Sequence, residues 1–319
     1  MRIAVLGGAG LTGRAAVRNL VENRDVSEVL VGDLNEKALR KLSNKVASSK
    51  LVTMQLDVRD VERVATFIRG CDAVINAVQY YHNIDVMYAA LKVGVHYVDH
   101  GGLYRVTLKQ LEMDHLFKSA RLTALVGMGA QPGLTNIVAR DAYEILDEVN
   151  AVYIKDGSRD LTEEPSPLKI TWSLQTLLDE VVDAVIFHDG EYRSVPPLSM
   201  SEVVDFPQPI GRMETFVIIH SEVATLPRSF RDKELRACDW MEGSPDLPMI
   251  KRLADMGLAS TEMLDVDGCR VSPRRFLIRL LDIGGLSGFR RKKHPMTGRS
   301  PGLLCRVRKV ENQQNGFMT

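Results

Sequence analysis

The sequence predicts an α/β fold in which a doubly wound parallel sheet is followed by a second domain of mixed α+β structure. Three observations lead to this prediction. Short β-branched runs alternate with longer helical patterns from residue 1 to about residue 145, which is typical of parallel βαβ units. A glycine-rich turn lies between the first strand and the first helix. After Asn150 the alternation ends, and a hairpin pattern around Asp189-Gly190 indicates antiparallel strands.

The elements of the first part follow one another as strand and helix. Six runs of apolar and β-branched residues predict strands at 3–6, 28–32, 51–56, 73–77, 96–98 and 123–126. Apolar residues three or four positions apart predict helices between them, at 12–22, 36–42, 61–68, 84–92 and 108–120. Six parallel strands with intervening helices form a doubly wound sheet.

The second part mixes the two element types without a regular order. Strands are predicted at 152–155, 185–187, 192–195, 215–220 and 233–239, and helices at 174–182, 249–256 and 274–281. A last strand is predicted at 303–310, before a turn at Asn315-Gly316. No further strand follows to pair with it, so we expect an unpaired edge and an incomplete C-terminal segment.

The composition excludes several classes of protein. Of 319 residues 45% are hydrophobic, and 41 acidic residues balance 41 basic ones, so no net charge attracts nucleic acid or a membrane surface. The four cysteines form no C-x-x-C pair, which argues against disulfides or a thiolate metal site. His96 and His100 lie on a predicted strand without a third ligand, so no metal is expected. Without a signal peptide or an apolar run of ~18 residues, we expect a cytoplasmic protein with a small-molecule partner.

The glycine-rich turn Gly8-Ala9-Gly10-Leu11-Thr12-Gly13 matches the pattern G-x-G-x-x-G. It directly follows a predicted strand and opens a helix, the context in which this motif binds dinucleotides. We expect Gly8 to permit the tight turn, Gly10 to admit the pyrophosphate and Gly13 to let the helix pack closely. Leu11 and Thr12, at the helix N-terminus, then face the phosphates. Gly7 offers a second register, and a glycine turn without a ligand is the alternative interpretation.

Acidic residues close the second and third predicted strands. Asp33 lies at the distance from the glycines at which a carboxylate binds the adenosine ribose hydroxyls. Since the same carboxylate repels a 2′-phosphate, the sequence favours NAD over NADP, although Lys37 and Arg40 offset part of that repulsion. Asp57-Val58 is predicted to contact the adenine, with a plain turn or cap as the alternative for the acid.

Polar side chains follow the fourth and fifth predicted strands. The carboxyl ends of strands line the ligand crevice of an open α/β sheet, so Ala77 and Val78 are expected to contact the cofactor and Tyr80 the substrate. The same strand ends bring His82 and Asp99 to the expected nicotinamide site, where a proton transfer would require a general base. We predict His82 as this base, with Asp99 second, and a helix-capping or surface histidine as the alternative for His82.

Further substrate contacts are predicted later in the chain. The turn before Thr135 and Asn136 is expected to present free N–H groups for a substrate carboxylate, while helix capping by these two residues is the alternative. Glu180 and Arg212 are weaker candidates for binding the substrate's distal head group. Most charged residues at such positions are surface ion-pair partners.

Four motifs, in this order along the chain, carry a resemblance to a known family: G-A-G-L-T-G, Q-Y-Y-H, H-Y-V-D-H-G-G and Q-P-G-L-T-N. The sequence resembles the saccharopine dehydrogenase and lysine 6-dehydrogenase family, and segments such as His220-Ser221-Glu222 look like its substrate domain. The resemblance implies a Rossmann domain, a substrate domain and a reaction at a carbon–nitrogen bond of an amino acid. It also implies a further strand and helix after 303–310, so the chain is expected to be shortened.

Within this family we expect a lysine 6-dehydrogenase-like reaction with NAD, in which hydride transfer gives an imine. Saccharopine dehydrogenase-type chemistry on a secondary amine is the main alternative, and a non-catalytic dinucleotide-binding protein is the alternative of another class. The expected domains are an NAD(P)-binding Rossmann domain at 1–148, an α+β substrate and dimerisation domain at 149–302, and an incomplete strand segment at 303–319. A homodimer is expected.

Overall fold

A computed structural model describes residues 1–159, 174–283 and 302–308. The chain forms two compact units, Met1–Ile137 and Val138–Thr319. The division falls inside helix α7 (Leu134–Ile145), before the boundary expected at residue 148. Among the described residues, no helix has the length and apolar character needed to cross a membrane.

The first unit is the predicted doubly wound sheet. Its strand order is β3-β2-β1-β4-β5-β6, and every neighbouring pair is parallel. The order reverses between β1 and β4, which is where such sheets bind ligands. The strands are β1 (Arg2–Leu6), β2 (Glu28–Asp33), β3 (Leu51–Gln55), β4 (Ala73–Asn76), β5 (His96–Asp99) and β6 (Ala124–Leu125).

Helices cover both faces of this sheet, and each face has its own apolar core. One core is built on Val5, Val17 and Val31, and the other on Leu6, Ile68 and Met87. The helices are α1 (Leu11–Glu22), α2 (Glu36–Val46), α3 (Val61–Ile68), α4 (Asn83–Val93), α5 (Tyr104–Glu112) and α6 (Asp114–Ala120).

The single helix predicted at 108–120 is wrong, because the segment forms both α5 and α6. Met113 interrupts the helical geometry with ψ of −1°, and its side chain is buried in the core beside Phe117. Asp114 then provides a negative charge at the start of α6, which favours a new helix N-terminus.

The second unit is built on a mixed sheet with the order β10-β11-β12-β7-β15, to which β8 adds by pairing with β12 and β9. The parallel pairing of β7 with β12 places Asp156 beside Glu242 and Ile154 beside Trp240, while Lys155 and Asp239 project from the opposite face. The strands are β7 (Ala151–Gly157), β8 (Ala184–His188), β9 (Glu191–Val195), β10 (Ser201–Asp205), β11 (Arg212–Val217), β12 (Ala237–Gly243) and β15 (Gly302–Arg308).

The last strand has a partner, so the expectation that it is unpaired is wrong, and it forms the outer edge of the described sheet. β15 pairs antiparallel with β7 along its whole length, from Gly302 opposite Gly157 to Arg308 opposite Ala151. The two strands are about 150 residues apart in sequence, which is why the pairing could not be read from the neighbouring residues. Residues 309 and 310 of the predicted strand lie outside the described part of the chain.

The helices of the second unit include one that the sequence pattern did not predict. α9 (Glu222–Ser229) contains Pro227, which lacks the N–H that a helix interior uses and so obscured the helix. The strand predicted at 233–239 begins only at Ala237, because a short 3₁₀ turn and a left-handed Glu234 precede it. The remaining elements are α8 (Leu174–Glu180), α10 (Leu247–Asp255), β13 (Leu264–Val266), β14 (Cys269–Val271) and α11 (Pro273–Ile283).

Candidate functional site

The glycine-rich turn between β1 and α1 is shaped by contacts that exclude side chains. Gly7 has a left-handed φ of +71°, and its carbonyl accepts a 3.0 Å hydrogen bond from the Gly10 N–H. A Cβ on Gly13 would lie 2.3 Å from the Gly7 oxygen, and a Cβ on Gly8 would lie 2.5 Å from Val31 Cγ1. The tight turn therefore depends on Gly7, and not on Gly8 as the sequence suggested, while Gly8 lets the turn approach β2.

The N-terminus of α1 is suited to bind an anion. Gly10 caps the helix without a side-chain hydrogen bond, the first helical turn holds no acidic residue, and Leu11 and Thr12 are exposed. The first N–H groups of a helix have no intrahelical partner, and the helix dipole favours negative charge there. These residues fit the pyrophosphate of a dinucleotide.

Asp33 is held at the edge of this turn. One carboxylate oxygen accepts a hydrogen bond from the Ala9 N–H at 3.1 Å and the other from the Asn35 N–H at 2.9 Å. Arg40, the nearby cation, pairs with Glu36 at 2.6 Å on the exposed face of α2. The position of Asp33 fits ribose binding, and the pairing of Arg40 reduces its availability to a 2′-phosphate.

The next predicted cofactor contacts also lie at strand ends of the first unit. Asp57 follows β3, and the Arg59 guanidinium beside it lowers the pKa of that carboxyl to about 2. Val58 packs against the core, the Ala77 N–H donates to the Leu6 carbonyl at 2.9 Å, and Val78 lies against Gly7. The Asp57–Arg59 contacts are those of a polar turn, and adenine binding stays a prediction.

Asp99 is the centre of a buried hydrogen-bond network. Its carboxylate has no exposed surface and accepts hydrogen bonds from the N–H groups of Gly101 and Gly127, the Tyr97 hydroxyl and the Gln110 amide, at 2.5–2.9 Å. Burial, and then Asp99 itself, raises the pKa of Tyr97, so its hydroxyl remains a donor. Four donors thus already occupy the Asp99 oxygens, and its role as the second candidate base stays a prediction. Asp99 positions the loops after β5 and β6.

His82 and Tyr80 lie in a 3₁₀ turn that leads from β4 into α4. The His82 imidazole is 3.8 Å from Asp85 and contributes to the low pKa of Asp57. Tyr80 contacts Tyr81 edge to face, with 5.5 Å between ring centroids. His82 is about one-fifth exposed, and its role as a base stays a prediction.

The N–H groups of the predicted carboxylate site before α7 already have acceptors within the turn, and substrate binding there stays a prediction. Gly133 donates to the Asn136 side chain at 3.1 Å, and Leu134 and Thr135 donate to loop carbonyls at 3.1 and 3.3 Å. The Thr135 side chain has no exposed surface. Thr135 and Asn136 therefore belong to a closed turn, which was the alternative interpretation of this segment.

In the second unit the two predicted substrate ligands have different surroundings. Arg212 is about three-quarters exposed and faces Asp205 at 3.9 Å, an arrangement typical of a surface ion pair and not of a ligand site. The expectation for Arg212 is therefore not supported by its position. Glu180 is buried at the end of α8. It lies among other acidic residues that the sequence did not single out.

These residues form what we call the acid cluster. It contains four buried carboxyl groups and an imidazole stacked on an indole, contributed by β7, α8, β12 and the segment entering α9. Two of its buried atoms, Glu242 Oε1 and Trp240 Nε1, have no hydrogen-bond partner in the described chain. The members are Asp156, Glu180, Glu222, Glu242, His220 and Trp240.

The pKa values of Glu242 and His220 are both shifted by neighbours in the acid cluster. Burial raises the pKa of Glu242 well above its usual value, and the nearby Glu180 and Asp156 raise it further. Burial by itself lowers the pKa of His220, but Glu222, Glu180 and Asp156 outweigh it, and the pKa stands above 6.5. A cation bound here would relieve the repulsion between the carboxylates.

The opposite face of the same sheet provides a contrast. There the buried Asp239 is paired with Lys155 at 2.9 Å, and Glu202 lies 3.5 Å from the same ammonium, in a cavity of about 300 Å³. On that face the Lys155 ammonium neutralises the carboxylates. The basic member of the acid cluster that the described residues show is an imidazole, and an organic cation is a ligand that its carboxyl groups favour. Within the described residues no group of side chains is arranged to hold a metal ion.

The sequence contained a weak signal for the acid cluster. Asp156 and Glu242 are each the penultimate residue of a buried strand, and these strands pair in parallel, but nothing local indicates that the two are neighbours. His220-Ser221-Glu222 stood out only as a family-like segment. An acid on a buried strand is unusual enough to have drawn attention.

Comparisons with known proteins identify the first unit. Residues 3–125 match the saccharopine dehydrogenase NADP-binding domain. The resemblance to the saccharopine dehydrogenase family is confirmed. The first unit is therefore an NAD(P)-binding Rossmann domain of the saccharopine dehydrogenase type.

The relatives include enzymes with differing substrates in their names. A carboxyaminopropylagmatine dehydrogenase from Synechocystis sp. is 23% identical over 285 residues, and a carboxynorspermidine synthase from Vibrio cholerae is 25% identical over 303 residues. Each alignment covers 86% of this chain and 71% of the relative. Lysine 6-dehydrogenase activity is not confirmed by these matches.

Two solved structures share the fold. The L-Glu-forming saccharopine dehydrogenase from Saccharomyces cerevisiae has a TM-score of 0.61 at 18% identity, covering 82% of this chain and 60% of that enzyme. The homospermidine synthase from Legionella pneumophila, solved with NAD, has a TM-score of 0.55 at 16% identity, covering 80% of this chain and 68% of that enzyme. At these identities the likeness establishes the fold alone.

Proposed function

We propose that the protein oxidises or forms a carbon–nitrogen bond in a substrate that carries a cationic amine, using NAD(P) as the hydride carrier. The observation that carries this proposal is the acid cluster, in which carboxyl groups from separate elements are buried together and burial, then Glu180 and Asp156, raise the pKa of Glu242. A substrate ammonium would pair with Glu180, Glu242 and Asp156. The Rossmann domain would bind the dinucleotide, whose nicotinamide accepts or donates hydride.

For the cofactor we propose NAD in preference to NADP. Asp33 would accept hydrogen bonds from the adenosine ribose hydroxyls, and its charge would oppose a 2′-phosphate. Arg40, one of the cations that follow Asp33 in the sequence, pairs with Glu36. The name of the matching domain family includes NADP, so this preference needs a direct measurement.

For the substrate we propose a secondary amine formed between a polyamine-like chain and a carboxyl-bearing chain. The names of the relatives, carboxynorspermidine synthase and carboxyaminopropylagmatine dehydrogenase, suggest this class. The number of carboxyl groups in the acid cluster suits a substrate with more than one amino group. Lysine and saccharopine, expected from the sequence, are the alternatives.

The test is a substrate panel with the purified protein. Oxidation of carboxynorspermidine, carboxyaminopropylagmatine, saccharopine and lysine is followed by the absorbance of the reduced dinucleotide, with NAD and NADP in parallel. We expect turnover with one of the first two compounds. Turnover with lysine or saccharopine alone would replace the proposed substrate class, and absence of turnover with every compound would overturn the proposed function.

Matched variants connect activity to the acid cluster. Glu180→Gln removes a buried carboxylate without changing the shape of the side chain, and Glu191→Gln makes the same change on the exposed strand β9. We expect Glu180→Gln to raise KM for the amine at least about tenfold, a loss of about 1.4 kcal/mol in binding. Glu191→Gln should leave KM unchanged.

A further inference from the structure

His220 and Glu222 form a buried pair whose geometry is that of a proton-transfer dyad. The Glu222 carboxylate contacts Nδ1 of the His220 ring. Glu222 is fully buried at the first position of α9, where the helix dipole favours a negative charge. A carboxylate on Nδ1 fixes the tautomer and leaves Nε2 for a second partner.

Trp240 holds the imidazole from the other side. The two rings are nearly parallel, 12° apart, with 3.9 Å between centroids. An aromatic face stabilises a cation stacked on it, so the indole favours the protonated imidazole as the carboxylate does. The ring is thus fixed in position and can carry either protonation state.

The charged neighbours of His220 are the groups that would bind the substrate amine. Glu222, Glu180 and Asp156 each raise the pKa of His220 against the effect of burial, and Glu242 interacts in turn with Glu180 and Asp156. A nitrogen held by these carboxylates therefore lies near the imidazole. His82, predicted from the sequence, belongs to the first unit, and Asp85 and Asp57 are acidic neighbours of it.

We propose that the His220–Glu222 pair is the acid–base group of the reaction, a role that rests on the proposed function. In the oxidative direction the N–H bond of the substrate ammonium breaks and its proton moves to Nε2 of His220. The freed lone pair then forms the C=N bond as hydride leaves the carbon for the dinucleotide, so the amine is oxidised and the dinucleotide reduced. In the reverse direction His220 returns the proton to the new amine, and Glu222 stabilises the imidazolium between the two steps.

The kinetic test compares three variants with the wild type. His220→Gln removes the proton acceptor, Glu222→Gln removes its orienting charge, and His188→Gln is the control, because His188 also contacts a carboxylate, Asp189, but at a partly exposed site. We expect His220→Gln to lower kcat by about 10²–10⁴-fold with little change in NAD(P)H binding. Glu222→Gln should lower kcat less and move the ascending limb of the pH profile to lower pH. His188→Gln should match the wild type.

A second measurement does not depend on turnover. Histidine imidazole NMR resonances report the pKa of His220 directly, assigned by their loss in His220→Gln. We expect this pKa to lie above 6.5, to fall in Glu222→Gln, and to fall when 1,4-diaminobutane is added, because a bound cation opposes the imidazolium.

The outcomes separate the two proposals. If the wild type is active and His220→Gln keeps its pH profile, the dyad is overturned and the proposed function stands. If His82→Gln loses that pH profile instead, the base is His82. A wild type inactive on every substrate would overturn the proposed function, and the NMR titration would still decide the dyad. A His220 pKa that changes neither in Glu222→Gln nor on addition of 1,4-diaminobutane would overturn the dyad.

Discussion

The Asp33 carboxylate accepts a hydrogen bond from the N–H of Ala9 across a distance of 3.1 Å, which ties the acid at the end of β2 to the glycine-rich turn after β1. The same carboxylate accepts the Asn35 N–H at the start of α2. The group that would recognise the adenosine ribose is therefore fixed to the loop that would bind the pyrophosphate. Cofactor preference and turn geometry are coupled through one side chain.

Replacing Asp33 should change the preference between NAD and NADP. Asp33→Ser removes the negative charge that opposes a 2′-phosphate and keeps a hydroxyl for the turn. We expect the ratio of the NADP to the NAD dissociation constant to fall by about tenfold or more, equivalent to about 1.4 kcal/mol. Calorimetric titration with both dinucleotides measures this, with the exposed Asp25→Ser as control. An unchanged ratio would mean that Asp33 does not contact the ribose.

Alanine substitutions in the glycine turn should separate folding from cofactor binding. A Cβ on Gly13 meets backbone atoms of Gly7 and Gly8 at 2.3–2.9 Å, whereas a Cβ on Gly10 meets only the Gly7 oxygen, at 3.1 Å. Gly13→Ala should destabilise the first unit by about 1–3 kcal/mol and abolish NAD(P) binding. Gly10→Ala should weaken binding with a smaller loss of stability. Urea unfolding and dinucleotide fluorescence provide the two measurements, and equal losses of stability would contradict the packing argument.

Removing the Asp99 carboxylate should destabilise the fold more than any exposed aspartate does. Asp99→Ala leaves buried donors on Gly101, Gly127, Tyr97 and Gln110 without an acceptor, and each such group costs about 1–3 kcal/mol. We expect the free energy of unfolding to fall by about 3 kcal/mol or more. Asp114→Ala, at an exposed pair with Lys118, should cost about 0.5 kcal/mol or less. Comparable losses in the two variants would refute the network.

Glu242 should make the stability of the second unit depend on pH. Its folded pKa is raised, so the folded state holds a proton that the unfolded state has lost once the pH exceeds about 4.5. Its contribution to stability therefore falls as the pH rises from that value towards the folded pKa. Glu242→Gln should raise Tm at pH 7–8, by about 2–4 °C for each kcal/mol gained, and have little effect near pH 4.

The matched control for Glu242 is the exposed Glu191→Gln, which should leave Tm unchanged at both pH values. Glu242→Gln should also weaken binding of 1,4-diaminobutane, because the amide cannot neutralise an ammonium. Higher stability together with weaker ligand binding would show that Glu242 lowers the stability of the fold and contributes to ligand binding. Lower stability at neutral pH would contradict the direction of the pKa shift.

The first unit was largely determined by its sequence. A parallel βαβ domain is built from alternating local elements, and each strand and helix has its own period of apolar residues. The turn from Gly8 to Gly13 and the acid at Asp33 lie at fixed offsets from those elements, so the cofactor end of the protein could be read without knowing which strands were neighbours. The break in the predicted helix at Met113 could not be predicted, because a buried apolar residue at this position is compatible with one continuous helix and with two shorter ones.

The tertiary structure decided the roles that depend on partners distant in sequence. Asp99 has the strand-end position of a base, and only the four donors around it make it a structural acceptor. Asp156 and Glu242 become neighbours through the parallel pairing of β7 with β12, and β15 finds its partner in β7 in the same way. Charge repulsion and hydrogen-bond satisfaction depend on distances between side chains, whereas the sequence period reports only which face of its own element a residue occupies.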